Sequence, residues 1–503
     1  MTIRVIGFRT LLENYRKLNI GYVKLNPLSI LSAVRYNKLL ATLVSGEFEV
    51  VCLSRDHGFE VVQVPRLAWK KVRRSCQKAD TIAYGAGALW KLSVHPLKGT
   101  ITPFPSETYE VPNETLLLTR TGRIGVCSFV PNEFTDIVKE HFNKEHVIYT
   151  EHILRVIHEN KDLLKYFGIL LNSFMGRLLS DIAWYGALQP ELDRKIVERI
   201  PIPVAPTHIR NKVVKPLSVA YELEIEAWRA YFKAMKMVEE YLGADVKRVS
   251  GTSSYKEIRA YGRLDSKFYV YLNALRRLPS AQILEANELF DVKLGTAPRS
   301  RKYKFLKQGK PYISYDAIDD SGFIDEELFY RLPNPPRTTA KARKFSVLLT
   351  AVAHSIEGIG KVGVLYPYDD MLCMTGLAIL NPSNTKLRTA AQRVNYLKDK
   401  TVEDLMLYTF AILKSQLMRR VTQSLTYGLT AQISKKDVEN LPIPLIKDLM
   451  NSEVANLIKR FVENMYQASV LKRQAVTELE NHLLRLQGLT RVDLNGVRDV
   501  RRC

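Results

Sequence analysis

Two stretches of this chain repeat apolar residues every three or four positions, the spacing that keeps side chains on one face of an α-helix. In the first, Tyr221, Ile225, Trp228, Phe232 and Met235 follow at intervals of four, three, four and three, which approximates a coiled-coil seam. Leu242 closes the stretch and Gly243 is a stop signal. Helical from residue 209 to 242, it would span roughly 50 Å, with Pro216 expected to kink its first turns. The second stretch starts near Glu453 and aligns Val454, Ile458, Phe461, Met465, Ala468, Leu471, Ala475, Leu479, Leu483 and Leu486. Each stripe needs a partner. The two helices are therefore expected to pack antiparallel on each other and hold apart the bodies that precede them. Packing of each helix on its own body is the other arrangement the stripes allow.

Those bodies carry shorter periods. Glu47-Phe48-Glu49-Val50-Val51-Cys52-Leu53 and Val111-Pro112-Asn113-Glu114-Thr115-Leu116-Leu117-Leu118-Thr119 are β-branched and apolar runs between turn residues, as are Tyr312-Ile313-Ser314, Phe345-Ser346-Val347-Leu348-Leu349-Thr350 and Ile359-Gly360-Lys361-Val362-Gly363-Val364. Such runs predict short strands. Between Tyr149 and Leu179 the spacing turns helical, through Ile153, Val156, Ile157, Leu163, Leu164, Phe167, Leu170, Leu171 and Phe174. Strands with a helix near the end of the first body predict an α+β class.

The plan occurs twice. Glu198-Arg199-Ile200-Pro201-Ile202-Pro203 returns as Glu439-Asn440-Leu441-Pro442-Ile443-Pro444, and Trp184-Tyr185-Gly186-Ala187-Leu188-Gln189 faces Thr426-Tyr427-Gly428-Leu429-Thr430-Ala431-Gln432. Pro201 and Pro442 stand 241 residues apart, Tyr185 and Tyr427 242. Prolines in this pattern force extended backbone, so each Pro-x-Pro is expected to end a body before its long helix starts. The expected division is a first body over 1–205, a first long helix over 206–245, a second body over 246–445, a second long helix over 446–490, and a basic tail over 491–503.

Charge then narrows the partner. Lys+Arg 74 against Asp+Glu 52 leaves a formal net charge of +22 and a pI near 9.6, which favours a polyanion. Arg66, Lys70, Lys71, Arg73, Arg74 and Lys78 surround Trp69 with no acid between them, and in the second copy Lys293, Arg299, Arg301, Lys302, Lys304, Lys307 and Lys310 surround Tyr303 and Phe305. Lysine and arginine neutralise phosphates, and arginine also reads guanine edges bidentately. Cys52, Cys76, Cys127, Cys373 and Cys503 have no paired or metal-ligand spacing, so reduced thiols and no zinc site are expected. With no signal-peptide pattern in Met1 to Leu12 and no apolar run of about 18 residues, a cytoplasmic protein is expected.

Catalytic motifs are present only as fragments. Asn334-Pro335-Pro336-Arg337 is similar to the Asn-Pro-Pro-aromatic signature of DNA amino-methyltransferases, but an arginine replaces the aromatic face that stacks on a flipped base. Tyr84-Gly85-Ala86-Gly87 lacks a clear preceding strand, and Gly358-Ile359-Gly360-Lys361-Val362 lacks the hydroxyl residue and the glycine spacing of a phosphate loop. His141 and His146, five apart, read as surface or core histidines and not as metal ligands. No catalytic residue and no metal are expected.

Several of these stretches together resemble the specificity subunits of type I restriction-modification enzymes. Gly262-Arg263-Leu264-Asp265-Ser266-Lys267-Phe268-Tyr269 resembles the opening of a target recognition domain, and Gly309-Lys310-Pro311-Tyr312-Ile313-Ser314 lies within it. Leu117-Leu118-Thr119-Arg120-Thr121-Gly122-Arg123-Ile124-Gly125 and both Pro-x-Pro closings complete a resemblance over nearly the whole chain. The match departs at Tyr15 to Tyr22, a poor version of the opening, and at Ala351 to Glu357, which interrupt the second Leu-Leu-Thr…Gly segment.

The resemblance implies two repeated α/β target recognition domains separated by two long helices packed as an antiparallel coiled coil. It implies a non-catalytic subunit that binds double-stranded DNA, with each domain reading half of a bipartite site. The helices would set the spacing and dock two modification subunits, and a restriction subunit would join for cleavage. S-adenosylmethionine would be bound by the modification subunit, leaving no cofactor here. The DNA-contacting candidates are Lys70, Lys71, Arg73, Arg74, Arg120, Arg123, Arg299, Arg301, Lys302, Lys304, Tyr312 and Ser314. The helix-interface candidates are Tyr221, Ile225, Trp228, Phe232, Met235, Ile458, Phe461 and Met465. A type IIB-like specificity subunit, and a diverged methyltransferase or nuclease, remain as alternatives.

Overall fold

Each Pro-x-Pro segment is a β-strand: Pro201–Val204 pairs antiparallel with Glu49–Cys52, and Pro442–Ile446 with Ala281–Glu285. The structure, a computed structural model, describes residues 48–63, 80–90, 92–102, 110, 112–121, 125–176, 178, 184–185, 191–192, 194–199, 201–242, 266–278, 280–297, 308–333, 340–427 and 431–486. The chain divides into two units, Met1–Ile225 with Gln467–Cys503, and Glu226–Tyr466.

In the first unit a four-stranded antiparallel sheet runs in the order Glu60–Gln63, Ile153–Ile157, Leu116–Thr119, Cys127–Phe129. All four residues of Leu116–Thr119 are buried; a strand covered on both faces needs no polar alternation. A second sheet sets Thr81–Tyr84 between antiparallel Thr100–Thr102 and parallel His146–Tyr149. The structure corrects one expectation here. Ile153, Val156 and Ile157 belong to a strand, because β-branched side chains favour the pleated surface. The helix starts only at Lys161–Asn172, where the Asn160 side chain accepts the Leu163 N–H.

The second unit repeats this order. Asp291–Leu294, Leu377–Asn381, Val347–Thr350 and Val362–Val364 form the antiparallel sheet. Lys310–Ile313 lies between antiparallel Tyr330–Leu332 and parallel Met371–Cys373, with Lys341–Ala342 added beyond. Tyr84 faces Tyr149 in one parallel pair and Ile313 faces Cys373 in the other, so even the register recurs. Lys161–Asn172 has its counterpart in Val402–Lys414, opened by a capping box between Thr401 and Asp404.

One tyrosine in each of these helices holds the Pro-x-Pro strand. Tyr166 donates its hydroxyl to the Pro203 carbonyl at 3.0 Å and accepts the Ala205 N–H at 3.1 Å. Tyr408 does the same to Pro444, at 2.9 Å, and to Ile446, at 3.0 Å. Proline has no N–H, so these strands carry few donors of their own and the phenol satisfies the buried backbone atoms on either side.

The long helices are Thr207–Leu242, with Pro216 inside it, and Val454–Leu486. The first unit holds the beginning of the first helix and the end of the second; the second unit holds the remainder. In the first unit Val213, Leu217 and Tyr221 share one core with Ala475, Leu479 and Leu483, and also with Phe59, Leu116, Phe129 and Phe167 of the body. The two packing arrangements allowed by the stripes thus occur together. Burial of Ala220, Ala227, Ala230 and Ala234 explains why: the covered face of the first helix is wider than a two-helix seam.

In the second unit Trp228 and Tyr231 pack on Phe461 with ring centroids 5.7 and 4.8 Å apart. Glu226 accepts from the Asn464 amide at 3.2 Å, and Lys233 pairs with Glu453; partner numbers fall as helix numbers rise, so the helices run antiparallel. Two details of the expected stripe change. Lys472, 8% exposed, takes the seam position expected for Leu471, which is half-buried. The side chain of Leu486 lies outside the described residues.

Candidate nucleic-acid interface

The basic runs fall at the same connection in the strand order of both bodies. Residues 64–79 join the edge strand Glu60–Gln63 to Thr81–Tyr84, and residues 298–307 fall between the equivalent strands Asp291–Leu294 and Lys310–Ile313. Lys70, Lys71, Arg73, Arg74, Arg299, Arg301, Lys302 and Lys304 therefore all lie outside the described residues, as do Arg123, Gly262 to Asp265 and Asn334 to Arg337. A second pair of segments, 103–109 and 334–339, follows the equivalent strands Thr100–Thr102 and Tyr330–Leu332.

The described flanks in the second body are basic and exposed. Lys310 is paired in register with Leu332, and the Thr296 hydroxyl accepts the Ala340 N–H at 2.9 Å, so the described residues flanking the two segments meet in two places. Around them stand Lys310, Arg331, Arg343 and Lys344, all exposed, and half-buried Lys341. Lys344 lies over the rings of Phe345 and Tyr366 at 5.0 and 5.1 Å, a cation–π placement that stretches its stem along the surface. Asp369 accepts the Lys344 N–H at 3.2 Å. Lys341 bonds Asp370 at 2.5 Å, and that hydrogen bond, with the charges of Lys341, Arg343 and Lys310, holds its carboxyl below the usual carboxylate range.

Three candidate contacts have other duties. Arg120 pairs with Glu191 at 3.0 Å, reaches the Glu151 carbonyl, and keeps 18% of its side chain exposed. Its backbone accepts the Leu192 N–H at 2.8 Å, as Ala351 accepts that of Ile433 at 2.8 Å. The interruption at Ala351 thus keeps the strand link and drops the guanidinium. Tyr312, edge-on to Tyr330 at 5.3 Å, and Ser314 are fully buried. Neither can touch a duplex without leaving the core. Gly309 explains their motif: its φ of +117° suits glycine, and a Cβ there would sit 2.7 Å from the Leu332 backbone.

The eight helix-interface candidates, Tyr221, Ile225, Trp228, Phe232, Met235, Ile458, Phe461 and Met465, are each 8% exposed or less. Phe268 and Tyr269 of the opening motif are buried in the helix Ser266–Arg276. Periodicity had no way to single out a polar cluster in the first unit. Glu224 accepts the Ser93 hydroxyl at 2.8 Å and pairs with Lys472, whose ammonium lies 5.2 Å from the Tyr221 ring centre. Burial pushes the Lys472 ammonium below its ordinary range, and Glu224 opposes that shift.

A strand, Thr81–Tyr84, does precede Gly85, contrary to expectation, but only the three-residue turn Ala86–Ala88 follows; a dinucleotide loop needs a helix N-terminus there. Thr121 bonds His152 Nδ1 at 2.7 Å, yet Glu151 stands 3.8 Å from Nε2, beyond the reach needed to orient an imidazole as a base. Among the described residues no group of three His, Cys, Asp or Glu is placed to hold a metal ion, and no helix is long and apolar enough to cross a membrane.

No family model and no curated relative matches the sequence. Several solved structures are similar to the chain. The S subunit of a type I restriction-modification system from M. genitalium aligns at 12% identity and a TM-score of 0.39, over 88% of this chain and 96% of that one. The HsdS subunit from Thermoanaerobacter tengcongensis aligns at 15% identity and 0.23, over 86% and 96%. A chain from a structure of complex assembly and conformational transition in the type I R-M system aligns at 17% and 0.26, over 86% and 95%. Superposition at this level adds no weight to the duplicated strands, tyrosines and basic segments.

Proposed function

We propose that this chain is the DNA-recognition subunit of a type I restriction-modification assembly. The observation that carries the reading is the duplication: two bodies of one strand order, each with a basic segment at the same connection, in a chain of formal net charge +22. Two equivalent readers suit a bipartite site, each body taking one half. Residues 1–205 and 246–445 are assigned to recognition, and 206–245 and 446–490 to spacing and to docking two modification subunits. A restriction subunit joins for cleavage, and S-adenosylmethionine belongs to the modification subunit. Lys70, Lys71, Arg73, Arg74, Arg123, Arg299, Arg301, Lys302 and Lys304 are assigned to DNA, with Lys310, Arg331 and Arg343 as phosphate contacts beside them. Phosphate contacts position a protein, and base-edge contacts specify the sequence.

The test is to co-express the chain with an adenine methyltransferase partner and map the methylated sites. A two-part motif with a fixed gap is expected. A contiguous motif, or methylation unchanged when the chain is removed, overturns the proposal.

A further inference from the structure

The repeat offset of 241 residues continues through the long helices. Val213, Leu217, Ala220, Ala227, Ala234 and Val238 are buried, and so are the residues 241 places on, Val454, Ile458, Phe461, Ala468, Ala475 and Leu479. Functional contacts follow the same offset. Glu480, near the end of the second helix, accepts the Phe174 N–H of the first body at 2.9 Å, and Glu239, its equivalent on the first helix, accepts the Gln416 N–H of the second body at 2.8 Å. Each body thus packs on the beginning of its own helix and docks on the end of the other copy's helix.

Contacts that obey the repeat cannot tell one copy from the other. A copy-one body would find Glu239 on a second copy-one helix just as it finds Glu480, and a copy-two body would find Glu480 just as it finds Glu239. A buried ion pair among the described residues breaks the repeat. Glu224 pairs with Lys472 in the first unit, while the equivalent residues in the second unit are Met465 and Tyr231, 8% and 4% exposed.

We infer that the buried Glu224–Lys472 pair selects the association of unlike halves, copy one with copy two, over the association of like halves. Pairing copy one with itself sets Glu224 against Tyr231, which has no charge. Pairing copy two with itself sets Lys472 against Met465, which has neither charge nor strong acceptor. Each like pairing buries an ion without its counterion, and breaking a buried pair is strongly destabilising. Ser93 still reaches Glu224 in a copy-one pairing, but a hydroxyl does not neutralise a carboxylate. The surface is thus an internal interface built to refuse a second copy of either half. The inference does not depend on the proposed function.

The test uses the full chain with a protease site inserted at Gly251, cleaved after folding, then unfolded, refolded and weighed by native mass spectrometry. One-of-each pairs should exceed like pairs at least tenfold over the statistical ratio. In the variant E224M/K472Y, which gives the first seam the residue types of the second, that excess should fall at least tenfold. A statistical mixture from the unsubstituted chain, or an excess unchanged in the double variant, overturns the inference. Urea unfolding of the uncut chain tests the pair independently: E224M and K472Y should each lower the midpoint and the double variant should recover most of the loss. Absence of that recovery also overturns it.

Discussion

Tyr166 and Tyr408 make the same two hydrogen bonds in the two copies, each donating to the carbonyl of the second proline in its Pro-x-Pro strand and accepting the N–H two residues on. Both phenols are buried, and burial raises both pKa values far above the ordinary range. Phenylalanine at either position would keep the ring and strand one buried carbonyl and one buried N–H. Tyr166→Phe and Tyr408→Phe are each expected to cost about 1–3 kcal/mol, with similar midpoint shifts in denaturant unfolding. A loss below about 0.5 kcal/mol in either would mean that water or a neighbour takes over the hydroxyl's role.

Much of the frame was legible before the structure. Pro201 and Pro442 marked the repeat, and Tyr221 to Met235 marked a helix face, because both signals are periodic. Lys472 falls on the period that 458, 461, 465 and 468 set, where Leu471 does not, but no period names its partners Glu224 and Ser93. Ile153, Val156 and Ile157 misled because three- and four-residue spacing also arises in a central strand buried on both sides. The two tyrosines were not legible, since a lone tyrosine among Leu, Phe and Ile reads as ordinary core. The basic segments announced a polyanion through composition, but base readout depends on how connecting segments fold, and no period describes that.

His141 provides a pH test within one body. Burial lowers its pKa from 6.5 to about 4, so it stays neutral in the folded protein while the unfolded chain takes up a proton near pH 6.5. Between those values the unfolded state binds more protons, and stability falls as the pH drops from about 6.5 towards 4; above that window the residue makes no pH-dependent contribution. His141→Gln should flatten this part of the acid limb. Melting temperatures of both proteins at pH 7.5 and pH 5 check it, and equal drops in the two would place the acid sensitivity elsewhere.

The thiols of Cys127 and Cys373 are buried without disulfide partners. Burial raises both pKa values, Cys373 to about 12 and Cys127 further. The thiolate is the reactive form, and reagent access is closed as well. Neither should be alkylated by iodoacetamide at pH 8 until urea unfolds the chain, whereas half-buried Cys52, whose thiol pKa burial and Asp56 also raise, should react slowly in the folded state. Peptide mass spectrometry distinguishes them; prompt labelling of Cys373 in native protein would show that its sheet opens locally.

Lys310, Arg331 and Arg343 are exposed among the described residues that flank segments 298–307 and 334–339, so they can be neutralised without disturbing a core. Alanine at all three should weaken DNA binding for every sequence alike, because phosphate contacts carry no base information. Each contact removed should lower the slope of log affinity against log salt by about 0.9, giving a reduction of about 2 to 3 for the triple variant. Arg299, Arg301 and Lys302 changed to alanine should lower the slope as well and, where an arginine reads a guanine, relax the preferred half-site. Arg120→Ala should do neither, since its charge is already balanced by Glu191, and should act through stability instead. A salt slope unchanged in both triple variants would remove the second body's basic surface from the interface, even if the chain still bound DNA through the first.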